Sequence, residues 1–297
     1  MGKVIGIDIG GTKINGGVID QEGNILRRTS KETSKSGNAI DVLETLSCVI
    51  DELIDDEIIG IGIGAPGFID SNQGKVLSVG GNIQGWAETD IKSYLNKKYD
   101  VKIQVENDAN VAAICEGWLG AGAGMDSFVM ITIGTGLGGG IFIKESGILR
   151  GAHFQAGELG HSILHPRGHK CSCGQKGCVE MYVSGTAIES HYFKMRGLSL
   201  TGKEVLDSYR TDEIAKVVVD NFTFDLATFI ISLKNIFDPE GIIIGGGVID
   251  SKEIWWDNMI LSFSEGVNDS ANLKILPAKF RNDSGMIGAA RAIFNIL

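Results

Sequence analysis

Nothing in this sequence marks a membrane or secreted protein. The longest uncharged run, Ser127 to Ile143, is broken by repeated glycines and reads as a pair of strands instead of a membrane span. Lys3 and Asp8 interrupt the first apolar run, so no signal peptide is legible. Positive charge is scarce: 27 Lys and Arg stand against 37 Asp and Glu, a formal net charge of −10, with no basic cluster. A protein that grips a phosphate backbone shows the opposite balance, which argues against nucleic acid as a partner. The acidic surplus itself speaks for solubility. Cysteine is limited to five residues, three of them in one short loop; this argues against a disulfide scaffold and suits a reducing cytoplasm. The G-x4-G-K-[ST] loop of P-loop nucleotide binders is absent as well.

What is present suffices for two domains, because 297 residues with 43% apolar content can bury two cores of ordinary size. Lys3 to Ile9 reads as a strand, Gly10-Gly11-Thr12-Lys13 as a glycine turn, and Ile14 to Asp20 as the returning strand. Apolar residues at Ile40, Leu43, Leu46, Ile50, Leu53 and Ile54 fall on one face of a helix. Ile58 to Ile63 is a strand entering the Gly64-Ala65-Pro66-Gly67 turn, Asp90 to Lys98 a weak helix, and Val101 to Val105 a strand. Ala109 to Leu119 is a helix that either Asn107 or Asp108 can cap. Cys48 and Cys115 lie within helical patterns and are expected to be buried.

Gly120 to Gly124 breaks the chain and marks a lobe boundary. Residues 1–119 form the small N-terminal lobe, completed by a last helix, 284–297, that Ser284 can cap; residues 120–283 form the large lobe. There, Glu213 to Phe237 reads as a long helix ended by Asp238-Pro239, and Ile242 to Ile244 as a buried strand leading into Gly245-Gly246-Gly247.

The N-terminal plan recurs in Phe128 to Ile133, Gly134 to Gly140, and Ile141 to Ile143. Ile7, Ile9, Gly10, Gly16 and Ile19 stand opposite Ile131, Ile133, Gly134, Gly140 and Ile143 at one constant offset, which predicts two related halves. Three glycine turns, each directly after an apolar strand, offer backbone N–H groups to phosphate oxygens with no side chain in the way, and so point to a nucleotide. Two of them match G-x-G-x-x-G, at Gly62, Gly64, Gly67 and at Gly134, Gly136, Gly139. A dinucleotide fold needs a helix straight after the glycines, whereas here Pro66 interrupts the first and a strand follows the second.

The densest chemistry lies between Gly157 and Glu180. Cys171, Cys173 and Cys178 form C-x-C-x4-C, with His161 ten residues ahead of the first. Three thiolates and an imidazole fill the tetrahedron that Zn2+ prefers and leave no position for a reactive water, so the metal is expected to be structural. His165 and His169 are alternatives for the fourth ligand. Two carboxylates, Glu158 and Glu180, flank the same loop.

The chain resembles the ROK family of sugar kinases and repressors, within the actin-like ATPase superfamily. The resemblance rests on Asp8-Ile9-Gly10-Gly11-Thr12-Lys13, Glu106-Asn107-Asp108-Ala109-Asn110, Gly134 to Gly140, Glu158-Leu159-Gly160-His161, and Cys171-x-Cys173-Gly174-x-x-Gly177-Cys178-x-Glu180, in the family's order over nearly the whole chain. It implies an α/β, ribonuclease H-like fold of two lobes, mixed sheets flanked by helices, with ATP and a sugar meeting in the cleft, and usually a homodimer. The family's repressors carry an added N-terminal helix-turn-helix domain, for which a first strand at Lys3 leaves no room.

Phosphoryl transfer to a sugar hydroxyl needs a carboxylate to accept the proton, donors around the phosphates and a divalent ion. The resemblance implies Asp108 as the base. It implies contacts to ATP and Mg2+ from Asp8, Gly10, Gly11, Thr12, Lys13, Gly134, Thr135, Gly136, Gly246 and Gly247. It implies sugar contacts from Gly67, Asn82, Asn107, Asp108, Glu158, His161 and Glu180, and a zinc site from His161, Cys171, Cys173 and Cys178. The expected reaction moves the γ-phosphoryl of MgATP to the 6-hydroxyl of a hexose. Glucose comes first, because Gly80 to Trp86 is similar to the family's glucokinases. N-acetylmannosamine, fructose, mannose and β-glucosides are alternative acceptors, and a sensor that binds sugar without turning it over is an alternative function.

Overall fold

The computed structural model describes residues 2–33, 37–78 and 83–297. The chain divides into two compact units: Met1–Gly124 with Ser146–Ala156 and Asn282–Leu297, and Met125–Glu145 with Gly157–Arg281.

In the first unit a five-stranded mixed sheet has the order β3-β2-β1-β4-β7, built from β1 (Lys3–Ile9), β2 (Lys13–Ile19), β3 (Ile25–Glu32), β4 (Ile58–Ala65) and β7 (Lys102–Asn107). A small hairpin, β5 (Phe68–Asp70) with β6 (Lys75–Ser78), follows β4. Helices α1 (Ala39–Asp51), α2 (Ile91–Asn96) and α3 (Asp108–Leu119), the two-residue strand β10 (Gly147–Ile148) and helix α8 (Ser284–Phe294) complete the unit. Strands β1 and β4 alternate isoleucine with smaller residues, and this alternation sorts their two faces. Ile5, Ile7, Ile61 and Ile63 pack with Val42, Leu46 and Ile50 of α1 in one core. On the opposite face Gly62 lies so near α8 that an added Cβ would stand 1.9 Å from the Ala289 carbonyl oxygen. Only glycine lets the helix seat there, and the same face carries Asp8 up against Gly285.

The second unit repeats this plan with β8 (Ser127–Ile133), β9 (Leu137–Ile143), β11 (Gly241–Gly245) and β12 (Lys274–Pro277), in the order β9-β8-β11-β12. Its helices are α4 (Gly185–Arg196), α5 (Gly202–Asp207), α6 (Glu213–Phe237) and α7 (Lys252–Gly266). Helix α6 buries Phe222, Leu226, Ile230 and Leu233, a helical stripe, against a core in which the Phe222 and Trp255 rings meet edge to face at 5.6 Å. The hairpins β1-β2 and β8-β9 have equal strand lengths at the offset read from the sequence. Their turns differ by one residue: Ile9 faces Ile14 across four residues, and Ile133 faces Leu137 across three. No helix among the described residues is long and apolar enough to cross a membrane.

Four local expectations change. Cys48 is exposed on the outer face of α1, although Cys115 is buried. Ser284 is the first residue of α8 instead of its cap; Asp283 holds the cap position and turns its carboxylate to Arg28. The first unit continues to Gly124, beyond the boundary expected after Leu119. Residues 146–156, expected in the second lobe, cluster with the first unit, where Arg150 forms an ion pair with the buried Glu106.

Candidate functional site

In the first unit the site grows from the junction of β7 and α3. Asn107 caps the helix: its Oδ1 accepts the Asn110 N–H at 3.1 Å, and its Nδ2 donates to the Gly67 carbonyl at 3.0 Å. The competing reading, in which Asp108 is the cap, is thereby answered, and Asp108 is left as the first helical residue. Its Oδ1 accepts the adjacent Ala109 N–H at 2.8 Å. Asp108 stays open to solvent on one side, yet protein crowds the others, and burial pushes its carboxyl above the ordinary aspartate range against the pull of that N–H. Burial, and then the charge of Asp108, push Asp8 up to about 6. A buried carboxylate whose ionisation is opposed further by a second carboxylate is a place where a divalent cation fits.

Beyond Asp8, the Gly10 to Lys13 turn is closed by Gly10 N–H donating to Lys13 O at 2.9 Å. Thr33, at the end of β3, holds the turn from outside, its Oγ1 donating to Gly10 O at 2.8 Å and its N–H to Thr12 O at 2.9 Å. Gly11, Thr12 and Lys13 are left exposed. The Pro66-Gly67 turn is fixed in turn by the fully buried Trp86, whose Nε1 donates to Pro66 O at 2.9 Å.

In the second unit the Gly134 to Gly136 turn abuts the start of α4: Gly185 N–H donates to Gly134 O at 2.8 Å, and Ser184 caps the helix. Glu180 reaches the same turn and accepts the Leu137 N–H through Oε2 at 2.9 Å. A Cβ on residue 136 would stand 2.3 Å from that oxygen, so any larger residue there would have to displace the Glu180 carboxylate. A cavity of about 630 Å³ opens beside the turn, lined among others by Thr135, Thr186, Glu189, Lys203, Gly247 and Asp250. Gly246, in the left-handed region, turns the chain from β11 toward it.

The cysteine loop gathers His161, Cys171, Cys173 and Cys178, whose ligand atoms all lie within 4.8 Å of one another. Cys171 Sγ is 3.7 Å from His161 Nδ1, and Cys173 Sγ is 3.6 Å from Cys178 Sγ. Metal–ligand bonds of about 2.3 Å make tetrahedral edges of this length, so the cluster could hold zinc. Burial, then the neighbouring thiols, push Cys178 up to about 12, as expected where sulfurs converge. The two alternative histidines turn away: His165 Nε2 meets Asp225 Oδ1 at 2.7 Å, and the His169 ring stacks on Tyr182. Glu158 starts the short turn of helix, Leu159–His161, that leads into the cluster.

A match to the ROK family spans residues 4–295. The chain belongs to the ROK family. Its curated relatives include the glucokinase of Thermotoga maritima, 32% identical over 98% of this chain and 97% of that protein, and the glucokinase of Streptomyces coelicolor, 35% identical over 98% and 97%. A solved structure of a ROK family glucokinase from Streptomyces griseus, in complex with glucose and AMPPNP, superposes with a TM-score of 0.83 at 33% identity, covering 97% of this chain and 98% of that one. The α/β fold with mixed sheets and flanking helices is thus the ROK fold.

Within this ROK chain the expected residues fall into three groups. Asp8, Gly10 to Lys13, Gly67, Asn107 and Asp108 belong to the first unit; Gly134, Thr135 and Gly247 line the cavity, with Gly136 and Gly246 next to them in the chain, and Glu158, His161 and Glu180 lie in the cysteine loop. Asn82 lies outside the described residues. The sequence reading missed Thr33, which braces the first glycine turn, and the pair Glu106 and Arg150. Glu106 stood inside a quoted motif and signalled nothing by itself, since its partner lies 44 residues away.

Proposed function

We propose that this protein is an ATP-dependent sugar kinase that transfers the γ-phosphoryl group to the 6-hydroxyl of a hexose, with glucose as the preferred acceptor. The observation that carries the reading is the division of labour at the start of α3, where Asn107 takes the cap and leaves the Asp108 carboxylate beside Asp8. Asp108 accepts the proton of the attacking hydroxyl; its raised proton affinity suits a base. Asp8 is the residue that would hold Mg2+, whose charge offsets that of the phosphates when it is bound. Gly11, Thr12 and Lys13 donate to phosphate, as do the N–H groups of Thr135 and Gly136; Gly10 and Gly134, whose own N–H groups close the turns on Lys13 O and Gly136 O, let the phosphates approach, while Gly246 and Gly247 flank the nucleotide in the cavity.

The sugar hydroxyls fall to Gly67, Asn82, Asn107, Glu158, His161 and Glu180. Zn2+ bound by His161, Cys171, Cys173 and Cys178 would hold the last three in one geometry. Support for glucose comes from the relatives: the curated proteins just described are glucokinases, and the Streptomyces griseus structure contains glucose with AMPPNP. The test is ADP release with MgATP across glucose, mannose, fructose, N-acetylmannosamine, N-acetylglucosamine and cellobiose, with zinc measured on the same sample. A dominant response to glucose is expected. Silence across the panel from zinc-loaded protein would overturn the kinase reading.

A further inference from the structure

Glu106 is 1% exposed, and both of its oxygens are in use. Oε1 accepts the Asn107 backbone N–H and the Asn110 Nδ2, each at 3.0 Å. Oε2 accepts Arg150 Nε at 2.7 Å. The first two donors sit on either side of Asp108, and Asn107 uses its own side chain to cap α3 and to hold Gly67. Arg150 comes from residues 146–156, the one stretch between 125 and 281 that clusters with the first unit, and Glu158 follows eight residues later.

We propose that Glu106 and Arg150 are positioning residues for phosphoryl transfer: Arg150 holds the buried Glu106 carboxylate in place, and Glu106 fixes the turn of chain on which Asp108 sits. The inference rests on the reading of Asp108 as the base. A carboxylate this deep needs a counter-charge; removing Arg150 leaves a buried charge uncompensated, a strongly destabilising arrangement. The carboxylate then moves toward water, and its hydrogen bonds to the Asn107 N–H and the Asn110 Nδ2 are given up. The cap of α3 loosens, and Asp108 drifts from the attacking hydroxyl, where small misplacements cost rate and not affinity. The bonded atom of Arg150 is the inner Nε, which lysine lacks, so a lysine restores charge without the geometry.

The experiment compares wild type with Arg150→Met, Arg150→Lys, Glu106→Gln and the double variant Glu106→Gln/Arg150→Met, using glucose and MgATP. Arg150→Met is expected to lower kcat at least tenfold while KM for ATP and glucose stays within about threefold. Glu106→Gln should do the same, because its amide N–H would face the Arg150 N–H; Arg150→Lys should fall between. The double variant has neither a lone charge nor facing donors and is expected to exceed both single variants in kcat. If Arg150→Met does not fold, the double variant and Arg150→Lys carry the comparison. An unchanged kcat in folded Arg150→Met, a KM that rises in step with lost thermal stability, or a double variant no better than the worse single one would each overturn the proposal. A wild-type protein silent toward every sugar would overturn the kinase reading and this role with it.

Discussion

Glu180 ties the cysteine loop to a glycine turn: its Oε2 accepts the Leu137 N–H at 2.9 Å across 43 residues of sequence. A carboxylate proposed for the sugar therefore also clamps the turn proposed for phosphate. On the proposed roles, one side chain couples the two substrates.

That coupling predicts the behaviour of Gly136→Ala. The new methyl group would stand 2.3 Å from Glu180 Oε2 and displace it. KM for ATP and for glucose should rise together, each roughly tenfold, the scale of one lost hydrogen bond to a charged group at about 1.5 kcal/mol. Zinc content should stay unchanged. A rise in only one of the two constants would show that the contact carries no coupling.

Asp108→Ala should separate binding from turnover. Loss of a general base lowers kcat by roughly 10²–10⁴, whereas the glucose dissociation constant measured by calorimetry should change only a few-fold. In the wild type, kcat should fall as pH drops through the raised Asp108 value, because only the ionised carboxylate accepts the proton. Robust turnover in the variant would move the base elsewhere.

Asp8 makes a prediction about stability. Its folded value of about 6 lies above the unfolded 3.8, so folding takes up protons between those values and the ionised group opposes folding above them. Asp8→Asn should therefore raise the melting temperature by on the order of a few degrees at pH 8 without divalent cations. The gain should shrink below pH 6 and vanish near pH 4. Thermal scans across that range decide it, and a gain that instead grew with acid would contradict the direction.

The cysteine cluster predicts a joint failure in Cys173→Ser. Bound zinc should drop well below one ion per chain, the melting temperature should fall, and KM for glucose should rise. Elemental analysis, calorimetry and steady-state kinetics on one preparation test all three. Normal zinc and normal KM would remove the metal from the sugar site.

Much of the frame was legible because its signals are local. The two hairpins and α6 announce themselves in continuous apolar runs, and the cysteine spacing and the Asn107-Asp108 pair are contiguous. Strand β3 was not: Ile25–Glu32 is mostly polar and partly exposed, paired only with β2 in its unit, and it looks like a loop until β2 supplies its hydrogen bonds. Helix α4 hides similarly, since Gly185–Arg196 mixes charged, aromatic and small residues with little periodicity. In the site, Thr33 on Gly10, Arg150 on Glu106 and Glu180 on Leu137 are all long-range bonds to groups that any threonine, arginine or glutamate offers. No spacing in the sequence encodes such pairs.

The seating of α8 against β1 and β4 sets an order of events at the ribosome. Residues 284–294 are synthesised after the whole second unit, yet the close approach of Gly62 to Ala289 places them on the sheet made before it. The N-terminal strands thus leave the exit tunnel lacking the helix that covers one of their faces, while the whole second unit is translated before it arrives. Domains that are contiguous in the chain mature in the order of their synthesis. Here β1 and β4 wait for α8, and one face of their sheet stays uncovered until the second unit has been made.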